Sequence, residues 1–486
     1  MEVTIATGRQ RGVRLIGAAQ RSAASAPSAA SAPPQLALSL ALPDGSSLVP
    51  VVRIGEYVRL GQVVAWSPDC EGTPLHASVS GQVSAIELRD AIGMSARMPA
   101  IVIDNDGRDE RDPGLIPVAD YTLRSAEELL ARIEAGGIVG LGGAAFPTHL
   151  KLAPTPSTPV ETLVINGVEC EPGIQCDDML MRYRAESMLF GAQVMLHIVG
   201  AGRCVIAIEA DKPEAIAATR TAVKAAGDAR LSVAIVPTYY PAGGERQLIE
   251  FLFGTQVPAG GLPRDVGVVC QNVGTAAAIA TLIRTGEPLV SRLVTVTGLG
   301  VAFPRTLEVR LGTPLSHLIE ECGGYTPDIT RLIAGGMMMG VALPHDALAV
   351  AKTTHCVIAA TAADLVPRGP AMPCIRCGDC AEACPSHLLP QELYRHAVEE
   401  DDAGLARFGI TDCIECGCCD AVCPSQLPLV SVFGAARRQL QVNTVTTERR
   451  DLARQRFDAH TQRLAVEQAE RQRRLKERRP AGRKDE

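Results

Sequence analysis

Two cysteine runs in the last quarter of the sequence have the residue types and spacing to bind metal clusters. The first extends from Cys374 to Pro385 and the second from Cys413 to Pro424, and both read CxxCxxCxxxCP. In this pattern three thiolates on one turn bind the irons of a [4Fe-4S] cube, and the fourth cysteine binds the other cube. Two such runs therefore predict two neighbouring clusters, as a relay of single electrons requires.

The crossed pattern assigns four cysteines to each cluster. We expect one cluster on Cys374, Cys377, Cys380 and Cys423, and the other on Cys413, Cys416, Cys419 and Cys384. Cys418 lies inside the second run but outside its register, so we leave it as a spare thiol. Zinc and disulfide bonds are the alternatives. Zinc is satisfied by four ligands and disulfides need an oxidising compartment, so both remain minor.

Composition excludes several classes of protein. A length of 486 residues predicts roughly three domains. The net charge of -7 argues against a nucleic-acid-binding protein. Sixteen cysteines without a signal-peptide pattern predict a reducing cytoplasm. No apolar run reaches the roughly 18 residues of a membrane span, so we expect a soluble or peripheral protein.

The first hundred residues predict a flexible segment followed by a small β domain. Residues 1–34 include an Ala/Ser/Pro-rich stretch from Arg21 to Pro34, which cannot bury enough surface to become ordered. Residues 35–106 read as short strands with Gly turns and resemble the barrel-sandwich hybrid fold of biotinyl and lipoyl carriers. Those carriers have a modifiable lysine, and residues 36–106 contain none. We therefore expect a structural or docking module.

Residues 107–288 alternate helices with strands, which predicts an α/β domain with a largely parallel sheet. Helices are expected at Ser125–Glu134, Met188–Ile198 and Lys212–Ala226. A glycine-rich run, 136–151, and three loops that follow predicted strands contain Gly with Asn, Glu or Thr. Such loops present backbone N–H groups to phosphate and let a planar ring approach the main chain. A tight connecting loop is the alternative interpretation of the glycine run.

The loop sequences GLGGAAFPTHLK, NGVECEPG, YPAGGERQ and QNVGTA resemble the FMN- and NADH-binding domain of the complex I flavoprotein subunit. With the twin cysteine runs downstream, residues 36–440 resemble the C subunit of the Rnf electron-transport complex. The resemblance implies a multidomain α/β protein. Its parts would be a barrel-sandwich hybrid (35–106), a Rossmann-like flavin/NAD domain (107–288), a β-grasp soluble-ligand-binding domain (289–362), an α-helical dicluster ferredoxin module (366–440) and a charged tail (441–486).

The resemblance also implies the residues that contact FMN and NAD(H). They are Gly140, Gly142, Gly143, Phe146, Lys151, Asn166, Glu169, Glu171, Tyr240, Gly243, Glu245, Asn272 and Thr275. Lys151 would neutralise phosphate, and Phe146 would stack on the nicotinamide nucleotide. Val168 and Gly244 stand where the complex I subunit has acidic residues, which leaves the strength of nucleotide binding open.

The function implied by the resemblance is oxidation and reduction of NAD(H) in a translocating membrane complex. Electrons would pass between NAD(H) and ferredoxin through FMN and two [4Fe-4S] clusters. The partners would be membrane and iron-sulfur subunits, with ferredoxin or flavodoxin indirectly and no nucleic acid. The location would be peripheral, on the cytoplasmic side of the inner membrane. The alternatives are a soluble flavin/iron-sulfur NADH dehydrogenase or hydrogenase subunit and a non-catalytic electron-wiring adaptor.

The charged tail and the methionine run each allow two interpretations. The tail is basic after Arg471 and predicts either a solvated or disordered segment or a contact with anionic lipid. The run Met337-Met338-Met339 predicts core gap-filling or, less favoured, a docking surface.

Overall fold

The computed structural model describes residues 2–5, 11–16, 25–42, 44–67, 72–154 and 158–477. Near the N-terminus, β1 (Glu2–Ile5) pairs antiparallel with β2 (Val13–Ile16). Strand β3 (Ser28–Ala29) pairs parallel with Leu307 and Glu308 of a later domain. These strands correct the prediction of a flexible 1–34 segment, although part of that segment, including 17–24, lies outside the described residues. Sheet edges offer unpaired N–H and C=O groups, so even Ser and Ala can join them.

The small β domain contains two antiparallel sheets. The first has the order β4-β10-β9-β6 and the second β5-β7-β8. The strands are β4 (Gln35–Ser39), β5 (Val49–Pro50), β6 (Tyr57–Val58), β7 (Val63–Trp66), β8 (Leu75–His76), β9 (Gly81–Arg89) and β10 (Met98–Asn105). Leu36, Leu38 and Ile101 belong to the same buried core as Val294 and Leu307. The domain is therefore packed against a later domain over a shared apolar interior.

The second domain is built on four parallel strands in the order β13-β12-β11-β14. The strands are β11 (Thr162–Gly167), β12 (Arg203–Glu209), β13 (Leu231–Val236) and β14 (Val268–Asn272). The helices are α1 (Ala126–Ala135), α2 (Thr148–Leu152), α3 (Cys176–Val199), α4 (Pro213–Ala226), α5 (Glu245–Phe253) and α6 (Val273–Thr285). The strand order reverses between β11 and β14, where open α/β sheets bind ligands.

Helix α3 is much longer than the predicted Met188–Ile198. It begins at Cys176 and changes direction at Arg184, whose φ of -137° is not helical. The early start depends on Glu169, whose side chain accepts hydrogen bonds from the N–H groups of Asp177 and Asp178. A capping partner seven or more residues away is not visible in a local helical pattern, so the prediction missed this part of the helix.

The third domain has one mixed sheet in the order β18-β17-β19-β15-β16-β3. Its elements are β15 (Ser291–Thr297), β16 (Arg305–Arg310), α7 (Leu315–Glu321), β17 (Ile329–Ala334), β18 (Val341–Leu343) and β19 (Cys356–Thr361). The strand pattern agrees with the predicted order of two strands, a helix and a strand. The N-terminal β3 completes the edge of this sheet, which ties the beginning of the chain to its middle.

The C-terminal part of the described chain is helical, as predicted. Its helices are α8 (Asp379–Glu382), α9 (Pro390–Val398), α10 (Asp402–Arg407), α11 (Cys418–Ala421) and α12 (Leu429–Glu477). The C-terminal half of α12 is exposed, which agrees with a solvated helix, and residues 478–486 of the tail lie outside the described residues. Within the described chain, every helix is too short or too polar to cross a membrane.

Candidate functional site

Each of two cavities in the helical module is lined by four cysteines that come from both runs. Cys374, Cys377, Cys380 and Cys423 line the cavity that we name the outer cavity. Cys384, Cys413, Cys416 and Cys419 line the second, the inner cavity. All eight are free thiols. The grouping matches the crossed assignment, and four thiols around one cavity are the donor set of a [4Fe-4S] cube.

The two runs also share an unusual backbone conformation. Arg376 and Glu415, at equivalent positions, have φ values of 58° and 53°. His387 and Gln426, three residues after the last cysteine of each run, have φ values of 56° and 52°. Side-chain-bearing residues seldom adopt positive φ, and such strain concentrates at functional sites. The repeat is therefore structural as well as sequential, and it turns backbone N–H groups towards sulfur, as in the 3.4 Å contact from Arg376 N to Cys374 Sγ.

Cys418 is buried but lines neither cavity. Its thiol donates to the carbonyl oxygen of Tyr240 at 3.8 Å. Tyr240 in turn donates its hydroxyl to the carbonyl oxygen of Cys416 at 2.7 Å. The spare thiol therefore lies on the contact between the helical module and the second domain.

Tyr240 joins three parts of the chain. Besides its bond to Cys416, its main chain exchanges two hydrogen bonds of 2.8 Å with Val13 of β2. Its side chain is only 2% exposed. A second contact comes from Gln247, whose amide donates to the carbonyl oxygen of Pro385 at 3.4 Å. The predicted flavin loop is thus fastened directly beside the inner cavity.

Three predicted loops converge at the carboxyl ends of β11 and β14. The Asn166 amide donates to Gly243 O at 2.9 Å, which joins the end of β11 to the loop that contains Tyr240 and Gly243. Asn272 caps α6 by accepting from Gly274 N at 2.7 Å. Thr275 accepts from Leu141 N at 2.9 Å, which holds the glycine run against α6. The structure therefore brings these predicted residues together at the reversal of strand order.

The glycine run forms a tight loop whose ends pair. Gly140 N donates to Phe146 O at 2.9 Å, and Val139 and Pro147 form an isolated antiparallel β-bridge. Gly143 has a φ of 118°, which favours glycine, and a Cβ at Gly142 would lie 3.4 Å from Asn272 Cβ. Phe146 is 51% exposed at the tip. This backbone can approach a planar ring closely, so the loop fits a flavin.

Lys151 and Glu245, both predicted cofactor contacts, form an ion pair with each other at 2.5 Å. Lys151 lies on α2 and Glu245 is the first residue of α5. About a third of each side chain is exposed. A phosphate near Lys151 would therefore compete with Glu245 for the same ammonium group.

Glu169 is buried, and its side chain caps the beginning of α3. Its carboxylate accepts from Asp177 N at 2.9 Å and Asp178 N at 3.2 Å. Burial, followed by the charge of Asp177, raises the pKa of Glu169 well above its usual range. Sequence reasoning missed Asp177, which accepts from the Asn272 amide at 2.6 Å, and the buried Arg292, which donates to Leu141 O at 3.1 Å. An acidic residue in the first turn of a helix was the available signal for Asp177.

Glu171 connects the second and third domains. Its two carboxylate oxygens accept from the N–H groups of Met338 at 3.0 Å and Met339 at 2.9 Å. Burial raises its pKa to about 7, and these two bonds oppose the rise. The methionine run therefore contributes its backbone to this contact, while Met337 packs partly buried against the core.

Glu171→Gln should flatten the pH dependence of stability. Because the pKa of Glu171 rises on folding from 4.5 to about 7, its contribution is present below pH 4.5 and is lost as pH increases through 7. The rise corresponds to at most about 3 kcal/mol. The variant loses one acceptor and should be about 1 kcal/mol less stable at pH 5. Urea midpoints at pH 5 and pH 8 test this, with the exposed Glu127→Gln as control. An unchanged pH dependence would contradict it.

Val168 and Gly244, where acidic residues were expected from the resemblance, have structural roles here. Val168 is buried in a core with Val236 and Tyr239. A Cβ at Gly244 would clash with the side-chain oxygen of Gln247, the residue that contacts the first cysteine run. An acidic residue at position 244 would therefore require the end of the Gln247 side chain, which contacts Pro385, to shift.

Four family models match successive parts of the chain. The RnfC barrel sandwich hybrid domain matches residues 8–108, and the Nuo51 FMN-binding domain matches 133–281. The SLBB domain matches 293–342, and the 4Fe-4S dicluster domain matches 373–427. The prediction of a multidomain α/β protein with FMN and [4Fe-4S] cofactors is thereby confirmed.

Relatives resemble the chain over most of its length. The C subunit of the ion-translocating oxidoreductase complex of Pseudomonas aeruginosa is 41% identical over 423 residues, which are 86% of this chain and 54% of the relative. The chain thus spans about half the length of that relative. The corresponding protein of Rhodobacter capsulatus is 39% identical over 82% of this chain and 76% of its own length. The C subunit of the Na(+)-translocating ferredoxin:NAD(+) oxidoreductase complex of Acetobacterium woodii is 38% identical over 75% of this chain and 82% of its own length. The chain therefore belongs to the family formed by the C subunits of ion-translocating oxidoreductase complexes, the RnfC family.

Proposed function

We propose that this protein exchanges electrons with NAD(H) within a membrane complex that couples electron transfer between NAD(H) and ferredoxin to ion translocation. The observation that carries the proposal is the contact between Tyr240 of the flavin loop and Cys416 of the inner cavity, at 2.7 Å. It joins an FMN-binding domain directly to a dicluster domain. The name of the Acetobacterium woodii relative, a subunit of a ferredoxin:NAD(+) oxidoreductase complex, supports NAD(+) and ferredoxin as the two substrates.

The proposed roles of the residues are binding and positioning. FMN, when bound, would convert the two-electron chemistry of NAD(H) into the one-electron chemistry of the clusters. Gly142 and Gly143 would leave room for its ring, and Lys151 would attract its phosphate. The eight cysteines would hold the clusters in the crossed arrangement. No side chain is required as a general base or nucleophile.

Anaerobic titration of the purified, cofactor-loaded protein with NADH tests this function. We expect the flavin absorbance to bleach first and the broad cluster absorbance to follow. Bleaching of the flavin without bleaching of the clusters would contradict electron transfer from the flavin to the clusters. If neither bleaches, a non-catalytic electron-wiring adaptor becomes the better interpretation, because Val168 and Gly244 stand where acidic residues were expected.

We further propose a peripheral location on the cytoplasmic side of the inner membrane, with attachment through partner subunits. Expressed alone, the chain should remain in the supernatant after high-speed centrifugation. Expressed with its membrane partners, it should pellet with them even in high salt. Any contribution of α12 should be sensitive to salt, since charge attraction fades beyond about 8 Å at physiological ionic strength. Recovery of the lone chain in salt-washed membranes would contradict the proposal.

A further inference from the structure

The two cysteine-lined cavities have different surroundings. At the inner cavity, Cys416 is buried beneath Tyr240, and Gly417 lies beside Met338 of the third domain. At the outer cavity, Cys374 and Cys377 are exposed, and every residue that lines it belongs to 374–429. One cluster site therefore faces the flavin domain, and the other faces solvent.

The surface beside the outer cavity is formed by residues 366–378, which are all exposed and contain no helix or strand. The backbone is nevertheless anchored. Met372 N donates to Ser425 O at 2.9 Å, and Ser425 Oγ donates to Pro373 O at 3.0 Å. More than half of the surface of each large apolar side chain on this segment, Val366, Met372 and Ile375, is exposed. An anchored apolar surface beside exposed cluster ligands indicates an interaction site.

The charge of this segment is of one sign. It contains Arg368 and Arg376 and no carboxylate. Arg368 forms a 3.1 Å ion pair with Asp420, whereas Arg376 lines the outer cavity itself. Interfaces commonly have an apolar centre and a charged rim whose sign is opposite to that of the partner. Because Arg368 is paired with Asp420, the charge offered to a partner comes from Arg376, which fits an acidic group of the partner beside the outer cavity.

We propose that residues 366–378 are the docking surface for an acidic iron-sulfur protein. The inference rests on the proposed function. In the exchange, one electron leaves the donor cluster and enters the acceptor cluster, and no bond or proton changes. The exposed turn from Cys374 to Cys377 is what brings a partner's cluster close enough, whereas the inner cavity is covered by Tyr240 and Met338.

Photocrosslinking in the assembled complex tests the surface without relying on activity. A photoreactive phenylalanine at position 375 should form an adduct with a protein that has cysteine motifs for an iron-sulfur cluster. The same group at Leu123, which is 82% exposed on the flavin domain, should not. An adduct with phospholipid, with a second copy of this chain or with a protein that has no redox centre would overturn the proposal. So would equal yields at the two positions.

Charge reversal tests the chemistry of the partner. With a purified acidic [4Fe-4S] ferredoxin as probe, Arg376→Glu should slow the second-order electron transfer about tenfold at low salt, and high salt should remove the difference. Arg376→Lys should retain the rate, and Arg108→Glu, on the barrel-sandwich domain, should match the wild type. EPR must show intact clusters in each variant, and the crosslinking at position 375 decides the question if Arg376→Glu has lost a cluster. Equal rates for the reversed and control variants would overturn the inference.

The NADH titration separates the two proposals. Failure of NADH to bleach the wild-type clusters would refute the proposed function. Bleaching of those clusters without an adduct at position 375 would refute only the docking surface.

Discussion

Cys384→Ala is expected to remove the cluster held by the second cysteine run and to spare the cluster of the first run, although Cys384 belongs to the first. The reason is that Cys384 lines the inner cavity with Cys413, Cys416 and Cys419. A [4Fe-4S] cube that lacks one of its four thiolate ligands loses iron more readily. Iron should therefore fall from about eight to about four atoms per chain. Iron analysis and EPR of the dithionite-reduced protein measure both effects.

The crossed arrangement also predicts which pairs of cysteine variants should have the same EPR spectrum. Cys384→Ala and Cys413→Ala should leave the same EPR spectrum, because both remove the inner cluster. Cys423→Ala and Cys374→Ala should share the other spectrum. Cys418→Ala is the matched control, because this buried thiol lines neither cavity, and it should retain both clusters. If Cys384→Ala instead gives the spectrum of Cys374→Ala, ligation is not crossed.

Gly143→Val is expected to give a protein that retains iron but lacks flavin. Position 143 has a φ of 118°, and its Cβ would have only His355 Cε1 nearby, at 4.0 Å. The cost therefore comes from backbone strain, which is severe for a β-branched residue. Positive-φ backbone costs about 1–2 kcal/mol for residues other than glycine, so a loop that moves to relieve this strain should bind flavin about 5- to 30-fold more weakly. Flavin released by acid, measured per iron, gives the result.

Gly324→Val is the matched control for this strain. Gly324 also has a positive φ, 85°, and open space around it, but it lies in the third domain. That variant should bear a comparable conformational cost and retain its flavin. Full flavin occupancy in Gly143→Val would show that the glycine run is a connecting loop and not a flavin site.

Local chemistry was readable in the sequence. The spacing of Cys374, Cys377 and Cys380 depends only on neighbours along the chain, and the structure repeats the same positive φ at Arg376 and Glu415. The parallel strands were visible as buried apolar runs followed by polar turns. Because the carboxyl ends of parallel strands meet at one edge, Asn166 and Asn272 could be expected close together.

Contacts between distant segments were decided only by the tertiary structure. Glu171 was predicted as a cofactor contact from its loop sequence, and only the fold shows that its carboxylate also accepts from Met338 N and Met339 N of the third domain. Residues 1–34 were predicted to be a flexible segment, yet Val13 pairs with Tyr240, and Ser28 lies on the edge of a sheet. The physical reason is the same in each case. A backbone N–H group or an open sheet edge pairs with any suitable group that the fold brings near. Which group that is depends on packing between segments that are far apart in the chain, and no local pattern records it.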